Sequence, residues 1–170
     1  MVGEIRDKET ADLAIQASLT GHLVFSTLHT NSASGALPRL LDMEAEPYLL
    51  ASSMTCILAQ RVVRKICEKC RESYVPPPEV VENIHLVLGG LAPKGDFQVY
   101  RGKKCSACSD TGYRGRVGIF EVLPVTEKIG RLILEHKPAM DIEKMAVADG
   151  MLLMMQYVYL KALEGITTIE

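Results

Sequence analysis

An α/β fold carrying a metal-bound excursion is the architecture this sequence predicts, and three observations predict it. A short apolar segment ending on an acid, a helical pattern and a second apolar run succeed one another before Asn31, the strand–helix–strand order of a parallel sheet. Two Cys-x-x-Cys pairs, Cys67 with Cys70 and Cys105 with Cys108, enclose a stretch rich in proline and glycine. Beyond them, three helical patterns are separated by Pro138 and Gly150.

The elements follow in order. Asp7 to Leu19 places Ala11, Ala14, Ile15 and Ala17 to Leu19 at helical spacing, with Asp7 as cap and Gly21 as stop. His22 to Leu28 contains Leu23-Val24-Phe25 without polar alternation, which predicts a strand buried on both faces of a parallel sheet. Asn31 or Ser32 caps a helix running to Met43, with Pro38 kinking it or marking its first turn. Pro47 opens a long helix to about Ile66 that buries Leu49, Leu50, Ile57, Leu58 and Val62 and packs Cys56 in the core. From Arg71 to Gly95 the chain leaves the core as a lobe around an amphipathic piece, Glu79 to Leu88. Tyr113 to Val125 reads as short strands and a turn, and the helices Thr126–His136, Asp141–Asp149 and Met151–Glu164 complete the chain. The divisions are 1–66 for the α/β core, 67–111 for the cysteine module and 112–170 for a strand-turn and helical part. The opening Met1 to Glu4 and the final Gly165 to Glu170, which reads as the first turn of a further helix, both look like boundaries imposed on a longer protein.

Composition narrows the function classes. With 48% hydrophobic residues, 170 residues bury one core plus a small satellite. The net charge of −2, with Lys and Arg scattered among Asp and Glu, offers no basic stripe for a phosphate backbone, so nucleic acid is not an expected partner. The longest apolar stretch, Tyr48 to Val63, is interrupted by Ser52, Ser53, Thr55, Gln60 and Arg61 and is no membrane span. Five cysteines without a secretory signal indicate a reducing, cytoplasmic setting, where paired cysteines more often hold metal than form disulfides.

The chemistry concentrates in two places. A two-residue gap lets both thiolates of one turn bend toward a common ion. Two such knuckles, Cys67/Cys70 and Cys105/Cys108, supply the four ligands of a tetrahedral structural zinc closing the 34-residue insertion, residues 71–104. A pair of redox motifs or four buried thiols is the alternative. Glu4 falls where the first predicted strand meets its loop, at the edge where parallel sheets place ligands, and a carboxylate there can polarise a water or help hold Mg²⁺. His29 falls at the same edge, and His22 at or before the start of the next strand. Near a terminal phosphate their imidazoles could sense it by hydrogen bonding. From spacing alone, a solvated loop glutamate and two capping or surface histidines are the readings that win.

The runs Met1 to Thr10 (MVGEIRDKET) and Thr20 to Asn31 (TGHLVFSTLHTN) closely resemble the secretion ATPases of the type II secretion and type IV pilus assembly family. So do Leu58 to Arg64 leading into Cys67, Gly112 to Leu123 following Cys108, and the ending Asp149 to Glu170. By this resemblance Glu4 matches the family's Walker B glutamate, His22 and His29 the two histidines of its His box, and the four cysteines its tetracysteine region. It implies a RecA-like P-loop ATPase core using ATP with Mg²⁺, a ring of six identical subunits, and an inner-membrane platform protein as the partner that hydrolysis moves. The cysteines favour an assembly or secretion motor over the retraction motors, which typically lack them. Two departures stand out: no Gly-x-x-x-x-Gly-Lys-Ser/Thr loop occurs among residues 1–170, and Met155 to Lys161 lacks the acidic-Gly step expected before Lys161. These residues alone are therefore expected neither to hydrolyse ATP nor to bind it tightly. A free-standing zinc-binding structural or interaction module is the alternative function. Arg61, Arg64, Arg114 and Arg116 receive no role.

Overall fold

The structure is a computed structural model describing residues 1–169. It is an α/β chain of seven helices and four strands among the described residues, dividing into two compact units that cut across the linear segments 1–66, 67–111 and 112–170. One unit comprises Met1–Ala59 and Glu121–Met151; the other comprises Gln60–Phe120 and the residues from Leu152 onward.

In the first unit, helix α1 (Lys8–Leu19) begins where the sequence predicts. The Asp7 carboxylate accepts the Thr10 backbone N–H at 2.8 Å, satisfying a donor the helix itself cannot, and Gly21 takes a positive φ of 93° just beyond the end. Helix α2 (Ala36–Asp42) and helix α3 (Pro47–Ser53) bury Leu37, Leu40 and Leu50. Helix α5 (Glu127–Leu134), capped by the Thr126 hydroxyl, packs on α3, and helix α6 (Ala139–Ala148) packs on α5. Ile129, Ile133 and Ile142 are buried there.

Three expectations are corrected. The long helix from Pro47 to Ile66 stops at Ser53, and residues Cys56–Ile66 form strand β1. Ser52, Ser53 and Thr55 are weak helix formers, and the β-branched Ile57, Val62, Val63 and Ile66 suit extended backbone, which outweighs the helix-like spacing of the apolar residues. Cys56 is consequently exposed on that strand instead of packed in a core. The buried strand expected over His22–Leu28 does not form as a regular strand and is unburied, with Leu23 78% and Phe25 63% exposed. The expected parallel sheet survives there only as two segments running in the same direction, joined where Val2 N–H donates to Phe25 O at 2.9 Å and Ile5 N–H to Thr27 O at 3.0 Å. Finally, the predicted short strands and turn over Tyr113–Val125 are one strand, β4 (Tyr113–Pro124), paired with β1 in a two-stranded sheet. Its glycines are absorbed within the strand, Gly118 leaving room for the Phe120 ring.

The second unit holds the lobe. Strands β2 (Arg71–Tyr74) and β3 (Val99–Gly102) pair antiparallel, Arg71 opposite Gly102 and Tyr74 opposite Val99. Helix α4 (Pro78–Leu88) starts on proline, ends at Gly89 with φ 52°, and packs against helix α7 (Met154–Leu163). Ile84, Leu88, Val99 and Tyr159 form its core, and Asn83 donates to the buried Tyr159 hydroxyl at 3.0 Å. The residues after α7 lie along β1: Ile66 N–H donates to Ile166 O, the Thr167 hydroxyl to Arg64 O, and the Tyr113 and Thr168 hydroxyls share a bond. The further helical turn expected at the end lies partly at Glu170, outside the described residues. No described helix is long and apolar enough to cross a membrane.

Candidate functional sites

The cysteine cluster is assembled by backbone on both sides of the lobe. Cys67 follows β1, and Cys70 closes a turn by donating its N–H to Cys67 O, directly before β2. Cys105 and Cys108 frame a short 3₁₀ turn, Ser106–Cys108, just after β3. The pairing of β2 with β3 and two further bonds, Lys103 N–H to Cys70 O at 2.9 Å and Cys67 N–H to Gly112 O at 3.0 Å, draw the two knuckles together.

The four Sγ atoms lie within 4.8 Å of one another. Cys67–Cys105 and Cys70–Cys108 are 3.9 Å apart and Cys105–Cys108 3.7 Å, so the thiols are free of disulfides. A tetrahedron with metal–sulfur bonds of ~2.3 Å has edges of ~3.8 Å, so these separations fit a four-thiolate site. Burial pushes the Cys70 thiol up to about 12, helped by hydrogen bonds with Cys105, Cys108 and Cys67. Burial also pushes Cys108 upward, but the backbone N–H groups of Cys105 and Gly112, each 3.3 Å from its sulfur, outweigh it and bring the thiol down to about 6. Such amide donors are the partners that orient metal-bound sulfur.

The second site is built at the start of the chain. The bonds that join Val2 to Phe25 and Ile5 to Thr27, with the Thr27 hydroxyl donating to Gly3 O at 2.8 Å, flank Glu4 on both sides. They bring its carboxylate to His29, Nε2 to Oε2 3.1 Å, while Arg6 Nε reaches the same oxygen at 2.6 Å. The Arg6 guanidinium bonded to Glu4 holds this carboxyl below its ordinary range, and His29 adds to the effect. Glu4 is thus a partly exposed acceptor with a guanidinium and an imidazole beside it. His22 is engaged elsewhere: its Nδ1 lies 3.1 Å from the Thr20 hydroxyl and 3.2 Å from Ala17 O, at the end of α1.

Two participants are absent from the sequence-based site. Arg6 is legible only as part of the Glu4–Asp7 run, and nothing local marks it as the partner of Glu4. Glu121 is buried, 3% exposed, and accepts the Ala33 N–H at 2.8 Å. Its signal is the alternation of β4: Ile119, Glu121 and Leu123 all face inward, which places an acid on the core side of a strand.

Comparison with known proteins places this geometry in context. The family model described as type II/IV secretion system protein matches residues 1–170. A type IV pilus assembly ATPase, PilB, of Myxococcus xanthus is 42% identical over 172 residues, covering 100% of this chain and 30% of that protein. A type II secretion system protein E of Pseudomonas aeruginosa is 45% identical over 170 residues, covering 100% of this chain and 33% of its own length. The chain therefore spans about a third of the length of these relatives. Among solved structures, the Legionella pneumophila ATPase DotB aligns with a TM-score of 0.62 at 22% identity, over 98% of this chain and 35% of that one, a likeness of fold. The pilus retraction motor PilT with bound ADP aligns with a TM-score of 0.61 at 25% identity, over 99% of this chain and 37% of that one.

Proposed function

Because the chain belongs to the type II/IV secretion system protein family, we propose that it is the part of a motor ATPase that carries the water-activating carboxylate and a structural zinc module. The motor would hydrolyse ATP with Mg²⁺ within a RecA-like P-loop core, as a ring of six, in the cytoplasm against an inner-membrane platform protein. It would thereby drive pilus assembly or type II secretion. The phosphate-cradling loop would come from residues outside these 170. Identities of 42% and 45% to an assembly ATPase and a secretion protein, against 25% to the retraction motor, favour an assembly or secretion role.

The observation that carries the catalytic assignment is the 3.1 Å contact between Glu4 and His29. An ionised carboxylate at that position orients an attacking water and accepts its proton, and the adjacent imidazole donates toward a terminal phosphate. Arg6, bonded to the same carboxylate oxygen, would orient the carboxylate and bias it toward its charged form. His22, bonded to the end of α1, would act through the backbone that leads to His29 and not on the phosphate itself. At the second site, Cys67, Cys70, Cys105 and Cys108 would hold one zinc ion, which supplies cross-linking of the lobe's base and no chemistry on ATP.

The test is Glu4→Gln in the longer protein containing this chain. The swap keeps shape and hydrogen bonding and removes the charge, so phosphate release should fall by about 10²–10⁴-fold while nucleotide affinity and assembly persist. Retention of more than about half the turnover, far outside that range, would make Glu4 a solvated loop residue. The competing assignment, a metal-binding structural module without catalysis, is favoured by the completeness of the cysteine cluster within the chain and would then stand.

A further inference from the structure

We propose that Glu121 is a positioning residue for His29, acting through the loop that follows it; this rests on the assignment of Glu4 and His29 as the hydrolytic pair. The His29 ring is 83% exposed, so little packing fixes it and its place depends on the backbone to either side. On the upstream side, Thr27 is anchored by Ile5 N–H and by its own hydroxyl on Gly3 O. On the downstream side, the run Thr30–Gly35 carries bonds of its own. Thr30 Oγ1 donates to Ser32 O, the hydroxyls of Ser32 and Ser34 lie 3.2 Å apart, and Gly35 N–H donates to Ser32 Oγ. The bond from Ala33 N–H to Glu121 Oε1 ties this run to a residue 88 positions away on β4.

Ala33 and Ser34 are themselves buried. A carboxyl group on the inward face of a strand, between Ile119 and Leu123, is costly to bury unless hydrogen-bonded, and the Ala33 N–H supplies such a bond. His29 therefore hangs between two fixed points, Thr27 and Ala33, and Glu121 holds the second through the Ala33 N–H.

Displacing a catalytic group by about 1 Å can cost about 10²-fold in rate. In the longer ATPase, Glu121→Ala should lower kcat at least about tenfold and leave KM for ATP within about threefold, because the displaced imidazole acts on the terminal phosphate more in the transition state than in the bound ground state. Glu121→Gln, whose carbonyl oxygen still accepts the Ala33 N–H, should recover most of the loss. The distinguishing measurement is the double variant: in a His29→Ala background, Glu121→Ala should cost less than about twofold more, because both changes remove one function. If the two losses multiply while His29→Ala alone is damaging, Glu121 is a core residue and the positioning role is overturned. If His29→Ala is silent, the hydrolytic assignment beneath it falls instead. Should Glu121→Ala fail to fold, Glu121→Asp keeps the carboxyl group but is one methylene short of Ala33. It should reproduce the kcat loss, and wild-type kcat in that variant overturns the proposal.

Discussion

Gly102 and Gly112 meet at the base of the cysteine module so closely that a Cβ on Gly102 would stand under 3.0 Å from the backbone of Gly112. Gly112 in turn has a positive φ of 79° and donates its N–H to Cys108 Sγ while accepting from Cys67 N–H. Gly102→Ala should therefore push the two knuckles apart, at a cost of about 1–3 kcal/mol typical of overpacking. Thermal unfolding together with a chelator competition reads this out, and an unchanged melting temperature with unchanged metal retention would contradict it.

Metal removal should have the largest effect on the same region. Purified without added metal, the protein should carry about one zinc per chain, as four cysteine sulfurs within 4.8 Å of one another can hold. Chelation should lower the melting temperature and speed amide exchange across 71–104, and Cys67→Ser should do the same without chelator. A metal-free protein whose melting is indifferent to chelator would exclude the assignment.

The cap of α1 sets a pH dependence with a definite sign. The Thr10 backbone N–H bonded to Asp7 holds its carboxyl below the ordinary value of 3.8. A depressed folded-state pKa means the contribution is present above 3.8 and fades as pH falls through the lower folded value. Asp7→Asn keeps a capping oxygen without the charge, so its melting curve between neutral and strongly acid pH should lose that component of the acid slope. Superimposable slopes for the two proteins would refute it.

Gly130 lies inside α5, where an added Cβ would find Ala51 Cβ at 3.8 Å, an ordinary contact. Gly130→Ala should therefore stabilise the chain by about 0.5–1 kcal/mol, through helix propensity and a less flexible unfolded state. A drop in denaturation midpoint would mean that α3 and α5 pack more tightly than this distance implies.

What the sequence made legible follows from the range of the interactions. Asp7, Gly21, Pro138 and Gly150 punctuate helices through bonds and dihedral limits within a turn of themselves, and α1, α4, α5, α6 and α7 emerged close to their observed bounds. The cysteine pairs are also local signals, and the structure brings all four sulfurs together. The misread segments are those where two local patterns compete. Leu58 and Val62 fit a helical stripe, but pairing with β4, which no local pattern announces, makes 56–66 a strand. Leu23 and Phe25 have the composition of a buried strand, yet burial depends on neighbours that local pattern does not specify. Glu4 with His29 joins positions 25 apart, and Glu121 with Ala33 positions 88 apart; the first pair was proposed from a shared sheet edge, the second by nothing short-range.

The cysteine pairs stand at the two ends of a 34-residue excursion, with β2 and β3 paired just inside them. Closure is thus fixed at the neck, and the cost of lengthening what lies beyond grows only as the logarithm of its length, about 0.6 kcal/mol per doubling. In evolutionary terms the exposed turn at Lys94–Asp96 is a tolerant position, open to insertion or an engineered label, while the neck and α4, with its buried Ile84 and Leu88, admit almost none.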